Sequence, residues 1–368
     1  IKSSFNDQHN DLQEKFKLVD SSEELDKWLE NITPFIVVTD KDETTFSIDM
    51  FVNYLIDTFN IVSIDNKIAF FDGKKYNTDE KSLNKIVSNI LTLSGERLSS
   101  RARKDLIEEI KLTARPVIKN ADFLISFDNC ILKITPNSNW ETLPISNKYY
   151  LTNTIPHKFI NNPNEQSIIE IDSLLDEWSY HDEAIKANIL EAFAYTFFPD
   201  NRLKRIFFFY GRANGGKSIC IKLLKNMLGE DNISSVKLHD FSSRFELFHS
   251  DGKLANISDE VSSRELSNDD SNILKDLSSE AGPKMEQKWK DSNYSQKFSC
   301  KLIFGCNGIP STKDLALVKR YRIIPFLNTF ESGANYQGLI EKISKEFPFV
   351  RVDFFNTKDK LYLAELTR

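Results

Sequence analysis

The residues of this chain best equipped for chemistry are Gly211, Asn214, Gly215, Gly216, Lys217 and Ser218, within the run Y-GRANGGKS that begins at Tyr210. Gly211, Gly216, Lys217 and Ser218 fit the phosphate-loop spacing G-x-x-x-x-G-K-[ST]. Glycines let successive backbone N–H groups turn towards an anion, and a helix start adds the positive end of its dipole. In that pattern Lys217 meets the β- and γ-phosphates and the Ser218 hydroxyl ligates Mg²⁺. The same residues could form an ordinary Gly-rich turn. The flanks decide against that, because Arg205-Ile206-Phe207-Phe208-Phe209 reads as a buried strand and Ile219 to Leu224 as a helix. The expectation is a nucleoside triphosphate site, and the loop alone does not say what work the triphosphate drives.

Three further groups follow in order. Lys253 to Ser258 reads as a strand closed by Asp259-Glu260, about forty residues after the loop. Two acids at the end of such a strand suit an ATPase: one carboxylate holds the metal shell, and the other orients or deprotonates the attacking water. Cys300 to Cys306 reads as a third strand ending in Asn307-Gly308. Asn307 is placed there to sense a γ-phosphate or the lytic water, although Asn-Gly is also a common turn. Lys319-Arg320 then opens a short strand that runs through Arg322 to Pro325-Phe326. An arginine near a triphosphate stabilises the transferring phosphoryl group, in cis or from a neighbouring subunit.

Other elements must hold these groups in place. Strand-like runs at 35–38 and 68–71, and helical patterns at about 79–93 and 100–114, make the first third mostly helical with a smaller strand component. A capped helix is expected from Ser21 to Leu29. Phe123–Phe127 and Cys130–Ile134 flank Asp128-Asn129 as a hairpin, and Tyr149–Thr152 continues the β character. From about Ser167 to Phe198 the pattern is helical, with Ile185, Ile189, Leu190, Phe193 and Phe197 on one stripe.

With these pieces in order, the chain resembles the superfamily-3 helicases, above all the helicase portion of phage, plasmid and mobile-element primase–helicases. The resemblance runs from about Leu124 to Phe326. Gly211, Asn214, Gly216, Lys217 and Ser218 match that family's G-x-x-N-x-G-K-[ST] loop, Asp259-Glu260 its acid pair, Asn307 its sensor, and Lys319-Arg320 the basic pair that supplies an arginine finger. The finger is assigned to Arg320, with Arg322 as its rival. Between acid pair and sensor the family carries a hairpin whose basic tip meets DNA. Here that interval holds Lys288, Trp289 and Lys290, for which a solvated basic loop is the other reading. The preceding Ser278 to Gly282 lacks the Gly-Gly-acid run of the phage relatives, and Lys319 stands where many relatives have Arg.

The resemblance implies an α/β fold: a P-loop NTPase core of AAA+ type, its mainly parallel sheet flanked by helices, with an α+β N-terminal region. It divides the chain into a helical and mixed accessory region at 1–116, a small β-containing domain at 117–180, the ATPase core at 181–330 and a tail at 331–368. It implies ATP and Mg²⁺ as cofactors, the metal held by Ser218 and Asp259, with Lys217, Asp259, Glu260, Asn307 and Arg320 catalytic. Single-stranded and forked DNA, a hexameric ring of identical subunits and an upstream primase or polymerase domain are the implied partners. The implied activity is an ATP-dependent replicative DNA helicase. The alternatives are another P-loop enzyme, such as a nucleotide kinase, or a non-motor ATP-dependent DNA-binding or assembly module. A kinase needs an acceptor site and a basic lid, and neither is legible in the sequence.

Composition bounds the rest. A net charge of −6 excludes a protein basic over its whole surface, so any nucleic-acid contact must be local. No run of 18 apolar residues suggests a membrane span, and no secretory signal stands at the N-terminus. Four cysteines without a C-x-x-C pair read as buried reduced thiols of a cytoplasmic protein, in the host cytoplasm if phage-encoded. Five scattered histidines give no zinc spacing. The chain opens on Ile1 rather than Met, which suggests a fragment with a domain upstream.

Overall fold

A computed structural model describes residues 35–38, 44–64, 67–117, 122–135, 139–162, 164–243, 246–283, 298–330, 353–357 and 360–364. The helix expected from Ser21 lies outside them. The chain separates into two compact units, one of residues 1–120 with 146–152, the other of 121–145 with 153–368.

In the first unit, strands β1 (Ile36–Val38) and β2 (Thr44–Phe46) pair antiparallel. Helix α1 (Ile48–Thr58) follows, started by Ser47, whose hydroxyl accepts from Met50 N. Strands β3 (Val62–Ile64), β4 (Lys67–Phe71), β5 (Tyr76–Asn77) and β6 (Arg115–Pro116) form a sheet of order β5-β4-β3-β6. Between β5 and β6 run α2 (Glu80–Leu93) and α3 (Ser100–Thr113). Asp79 and Ser99 cap them, each accepting backbone N–H groups that a helix start leaves unpaired. Leu83, Val87, Ile90 and Leu91 on α2 and Leu106, Ile107 and Ile110 on α3 recur at helical spacing and fill one core with Phe35, Phe51 and Leu55.

Tyr149–Thr152 is not a strand. Leu151 O accepts from Tyr76 N at 2.7 Å, Tyr149 N donates to Ser146 O at 3.3 Å, and the Tyr150 ring packs 5.1 Å from that of Tyr76. The segment's aromatic and β-branched residues are there for side-chain packing, not for a ladder.

In the second unit, β7 (Phe123–Ser126), β8 (Ile131–Ile134) and β9 (Trp140–Leu143) form the expected hairpin and a third antiparallel strand. Helices α4 (Glu165–Ser179) and α5 (Glu183–Tyr195) fill the stretch expected to be helical at 167–198. Tyr180 and His181, both at φ 57°, take the left-handed conformation between them.

The centre of this unit is a five-stranded parallel sheet. Its strands are β10 (Ile206–Gly211), β11 (Ile233–Ser234), β12 (Ala255–Val261), β13 (Lys301–Cys306) and β14 (Tyr321–Phe326), in the order β11-β12-β13-β10-β14. Both faces are covered, which is why β10 and β13 read as unbroken apolar runs. Phe207 and Phe209 face a core built with α4, α5 and α6 (Lys217–Leu228). Ile206 and Phe208 face a second core with α7 (Asn268–Leu277) and α8 (Leu315–Val318). The tail adds an antiparallel pair, β15 (Asp353–Thr357) and β16 (Lys360–Ala364).

Two buried polar side chains organise the sheet's surroundings. Asn256 Nδ2 donates to Val236 O at 2.9 Å, and its Oδ1 accepts from Val236 N and Ser234 Oγ at 2.8 Å each. Asn201 Nδ2 donates to Leu277 O at 2.9 Å, Phe298 O at 3.0 Å and Cys300 O at 3.4 Å, joining the end of α7 to the start of β13.

Candidate functional site

The loop Arg212–Gly216 leaves the carboxyl end of β10 and delivers the chain into α6. Asn214 at φ 61° and Gly216 at φ 87° are both left-handed, so the backbone curls within the loop. Gly216 caps α6 without a side-chain acceptor, so no capping side chain stands between the helix start and an anion, and in the first turn Ile219 N donates to Gly216 O at 3.1 Å. A Cβ on Gly216 would lie 2.7 Å from Trp178 Cδ1 and 2.9 Å from Phe330 Cε2. A Cβ on Gly211 would lie 2.5 Å from Phe326 O. Phe330 N donates to Asn214 O at 2.9 Å, so the segment after β14 lies directly on the loop.

Lys217 is buried, and its Nζ donates to Gly211 O and Arg212 O at 2.6 Å each. Burial lowers its pKa. The ammonium thus closes the loop on itself, beside the carbonyls that end β10. Ser218, one residue on, is exposed. Cys306, at the end of β13, is close enough for the Lys217 charge to draw its thiol pKa down, although burial prevails and pushes it up to about 11.

Asp259 sits near the end of β12, where the register against β13 shifts between Ser258 and Val261. Ser258 pairs with Phe304 and Val261 with Cys306, so β12 carries one extra residue across Asp259-Glu260. That bulge re-aims the chain at the acids. Asp259 is about half exposed, and its Oδ1 lies 3.1 Å from Lys225 Nζ on α6. Glu260 is the next residue of the strand. Asn307 follows β13 directly and is exposed. Because β13 lies between β10 and β12, Asn307 stands between the loop and the acids at the carboxyl edge of the sheet. Open α/β sheets bind ligands at that edge.

The structure therefore brings together Gly211, Asn214, Gly215, Gly216, Lys217, Ser218, Asp259 and the backbone of Glu260, with Asn307 alongside. Arg320 is differently engaged. Its guanidinium donates to Ser278 Oγ at 2.8 Å and to Lys275 O, both at the carboxyl end of α7. Arg322 is half-buried on β14, where its charge and that of Arg205 act on Glu191. Lys288, Trp289 and Lys290 lie outside the described residues.

Sequence reasoning missed Lys225, Trp178 and Gly305. Lys225 had a signal, for it follows Ile221 at i+4 on the helix that the loop opens. Gly305 matters through closeness: a Cβ there would lie 2.8 Å from Asp259 O and 2.9 Å from Ile221 Cδ1. Nothing local to Trp178 announced that it would lie under Gly216.

The donors at this edge are hard oxygens, the Ser218 hydroxyl and the Asp259 carboxylate. Among the described residues no three His, Cys, Asp or Glu side chains stand together as a metal cage. One carboxylate and one hydroxyl suit Mg²⁺ that arrives with phosphate oxygens, because Mg²⁺ is seldom caged by protein alone. The residues present fit such a group.

The sequence profile of a family of unknown function, DUF5906, matches residues 209–320, which contain the loop, the acids, Asn307 and Arg320. A TupA-like ATPgrasp profile matches residues 331–368, away from these groups. No curated protein matches the chain. Among solved structures, the A-form apo structure of the NrS-1 C-terminal region spanning residues 305–718 is similar at a TM-score of 0.50 and 16% identity, over 81% of this chain and 67% of that one. A second A-form apo structure of the same region aligns at a TM-score of 0.40 and 13% identity, over 61% of this chain and 64% of that one, a little under two thirds. The first likeness is one of fold: a mixed α/β chain with a parallel sheet flanked by helices. Among the described residues no helix is long and apolar enough to cross a membrane. Cys220, Cys300 and Cys306 are buried thiols and Cys130 is half-buried.

Proposed function

We propose that this chain is the ATP-hydrolysing motor of a superfamily-3 type DNA helicase, with a P-loop core of AAA+ kind, acting in replication of a phage or mobile element. The observation that carries the reading is the arrangement at one sheet edge: Lys217 opening α6 after the β10 loop, Asp259 at the β12 bulge, and Asn307 just past the strand between them. Lys217 would release Gly211 O and Arg212 O to meet the β- and γ-phosphates of ATP, while the N–H groups of Gly215, Gly216 and the first turn of α6 would cradle them. Ser218 and Asp259 would hold Mg²⁺, which when bound neutralises charge on the phosphate oxygens. Glu260 would take a proton from the attacking water, and Asn307 would sense the γ-phosphate.

The reading includes a ring of identical subunits, a hexamer in the family it resembles, in which Arg320 of each subunit completes its neighbour's site. Lys288, Trp289 and Lys290 would contact single-stranded DNA, the lysines on phosphates and the tryptophan on a base. Forked DNA is then the substrate, a primase or polymerase domain the neighbour upstream, and the host cytoplasm the compartment.

The test is the ATP hydrolysis rate with and without single-stranded DNA, with Lys217→Ala as the blank. Stimulation by DNA, and a loss of about a hundredfold or more in Lys217→Ala, are the expected results. Hydrolysis untouched by Lys217→Ala would remove the site. Lys217-dependent hydrolysis indifferent to DNA would remove the motor and leave the nucleotide site.

A further inference from the structure

We propose that Lys225 is a positioning residue that holds Asp259 away from the divalent cation until nucleotide binds, so that the site is neutralised by its own helix in the absence of ligand. The inference rests on the reading of the edge as a nucleotide–Mg²⁺ site. Its observation is separate: Lys225 Nζ stands 3.1 Å from Asp259 Oδ1, across the gap between α6 and β12.

The contact is built by neighbouring packing. Ile221 and Lys225 are four residues apart and share one face of α6. Ile221 seats on Gly305, whose missing side chain brings α6 and the Asp259 backbone within contact of the same strand. Helical side chains lean towards the helix N-terminus, so Lys225 reaches back towards the loop end of α6. The bulge in β12 presents Asp259 to meet it.

Stability does not account for this pair. Lys225 and Asp259 are 22% and 47% exposed, and ion pairs in such settings contribute little. Lys225 also lies in the last turn of α6, where the helix dipole favours a cation whatever it faces. Its effect on the site is direct, however. An ammonium beside Asp259 occupies one of the two carboxylate oxygens and repels a divalent ion approaching the other. Lys217 and Lys225 are eight residues apart on one helix, so each end of α6 places a cation on a partner that the bound nucleotide would reassign: the β10 carbonyls for one, Asp259 for the other.

The experiment measures binding of a fluorescent ATP analogue while magnesium chloride is titrated, for the wild type, Lys225→Met, Lys225→Arg and Lys217→Ala. Loss of the competing ammonium should lower the magnesium concentration at half-saturation about threefold in Lys225→Met, the scale of a half-exposed ion pair. Lys225→Arg should keep the wild-type value. An unchanged or higher magnesium requirement in Lys225→Met, with binding still dependent on Lys217, overturns the proposal alone. Analogue binding indifferent to Lys217→Ala overturns the nucleotide site and the proposal together.

Discussion

The Arg320 guanidinium donates to Ser278 Oγ at 2.8 Å, joining the start of β14 to the carboxyl end of α7 within one chain. It also reaches Lys275 O, and so adds a donor to one hydroxyl and one last-turn carbonyl at the end of α7. Burial lowers its pKa while Asp276 and Asp314 support its charge. Arg320→Ala should therefore cost about 1–2 kcal/mol of stability, seen as a lower melting temperature. If Arg320 also serves a neighbour's site, mixing Arg320→Ala with Lys217→Ala subunits should restore part of the hydrolysis. Failure of rescue with Arg320→Ala, but rescue with Arg322→Ala, would assign the finger to Arg322.

Gly216→Ala should be far more damaging than Gly95→Ala, although both glycines have positive φ, at 87° and 74°. Gly95 has nothing within 4 Å of an added Cβ, so only the backbone cost of about 1 kcal/mol applies. Gly216 adds a collision with Trp178 and Phe330. Its variant should lose about 1–3 kcal/mol more than Gly95→Ala, and analogue binding with it. Equal melting temperatures for the two variants would contradict the packing under the loop.

Lys301 is fully buried at the start of β13, where its Nζ donates to Phe198 O at 2.7 Å and to Ser299 O. It also stands 5.2 Å from the Tyr195 ring centroid. Burial pushes its pKa down from 10.5 to about 7. Above pH 7 the folded chain thus sheds a proton that the unfolded chain keeps until about 10.5. Stability from this group is complete above the unfolded value and lost as pH falls to 7. Between pH 7 and 8.5 the wild type should gain up to about 2 kcal/mol relative to Lys301→Met, measured by denaturant unfolding. A constant difference would mean that Lys301 stays charged in the fold.

Lys288→Ala with Lys290→Ala should leave basal hydrolysis in place and weaken single-stranded DNA binding. With two fewer lysines on the phosphates, the slope of log affinity against log salt should become shallower by about one to one and a half. An unchanged slope would take DNA away from this segment.

Much of the second unit was legible because β10 and β13, buried on both faces, read as near-continuous apolar runs, and β12 and β14 stood out by the charged groups beside their shorter apolar stretches. The loop was legible because glycine positions and flanking elements agreed. The helix break at Tyr180-His181 was not, since non-glycine residues seldom take positive φ and their types gave no warning. Helix α7 did carry a signal: Ser267 and Asp270 form a capping box at the spacing sequence reading looks for. The Lys225–Asp259 pair was hidden for another reason. It depends on a bulge that residue types do not announce and on a glycine in a third element.

The Asn201 amide has a consequence for how this fold tolerates change. One side chain ties Leu277 to Phe298 and Cys300, so the end of α7 and the start of β13 hang on the same amide. Removing it would take a donor from three backbone carbonyls at once, a heavier loss than trimming one apolar contact of the same sheet.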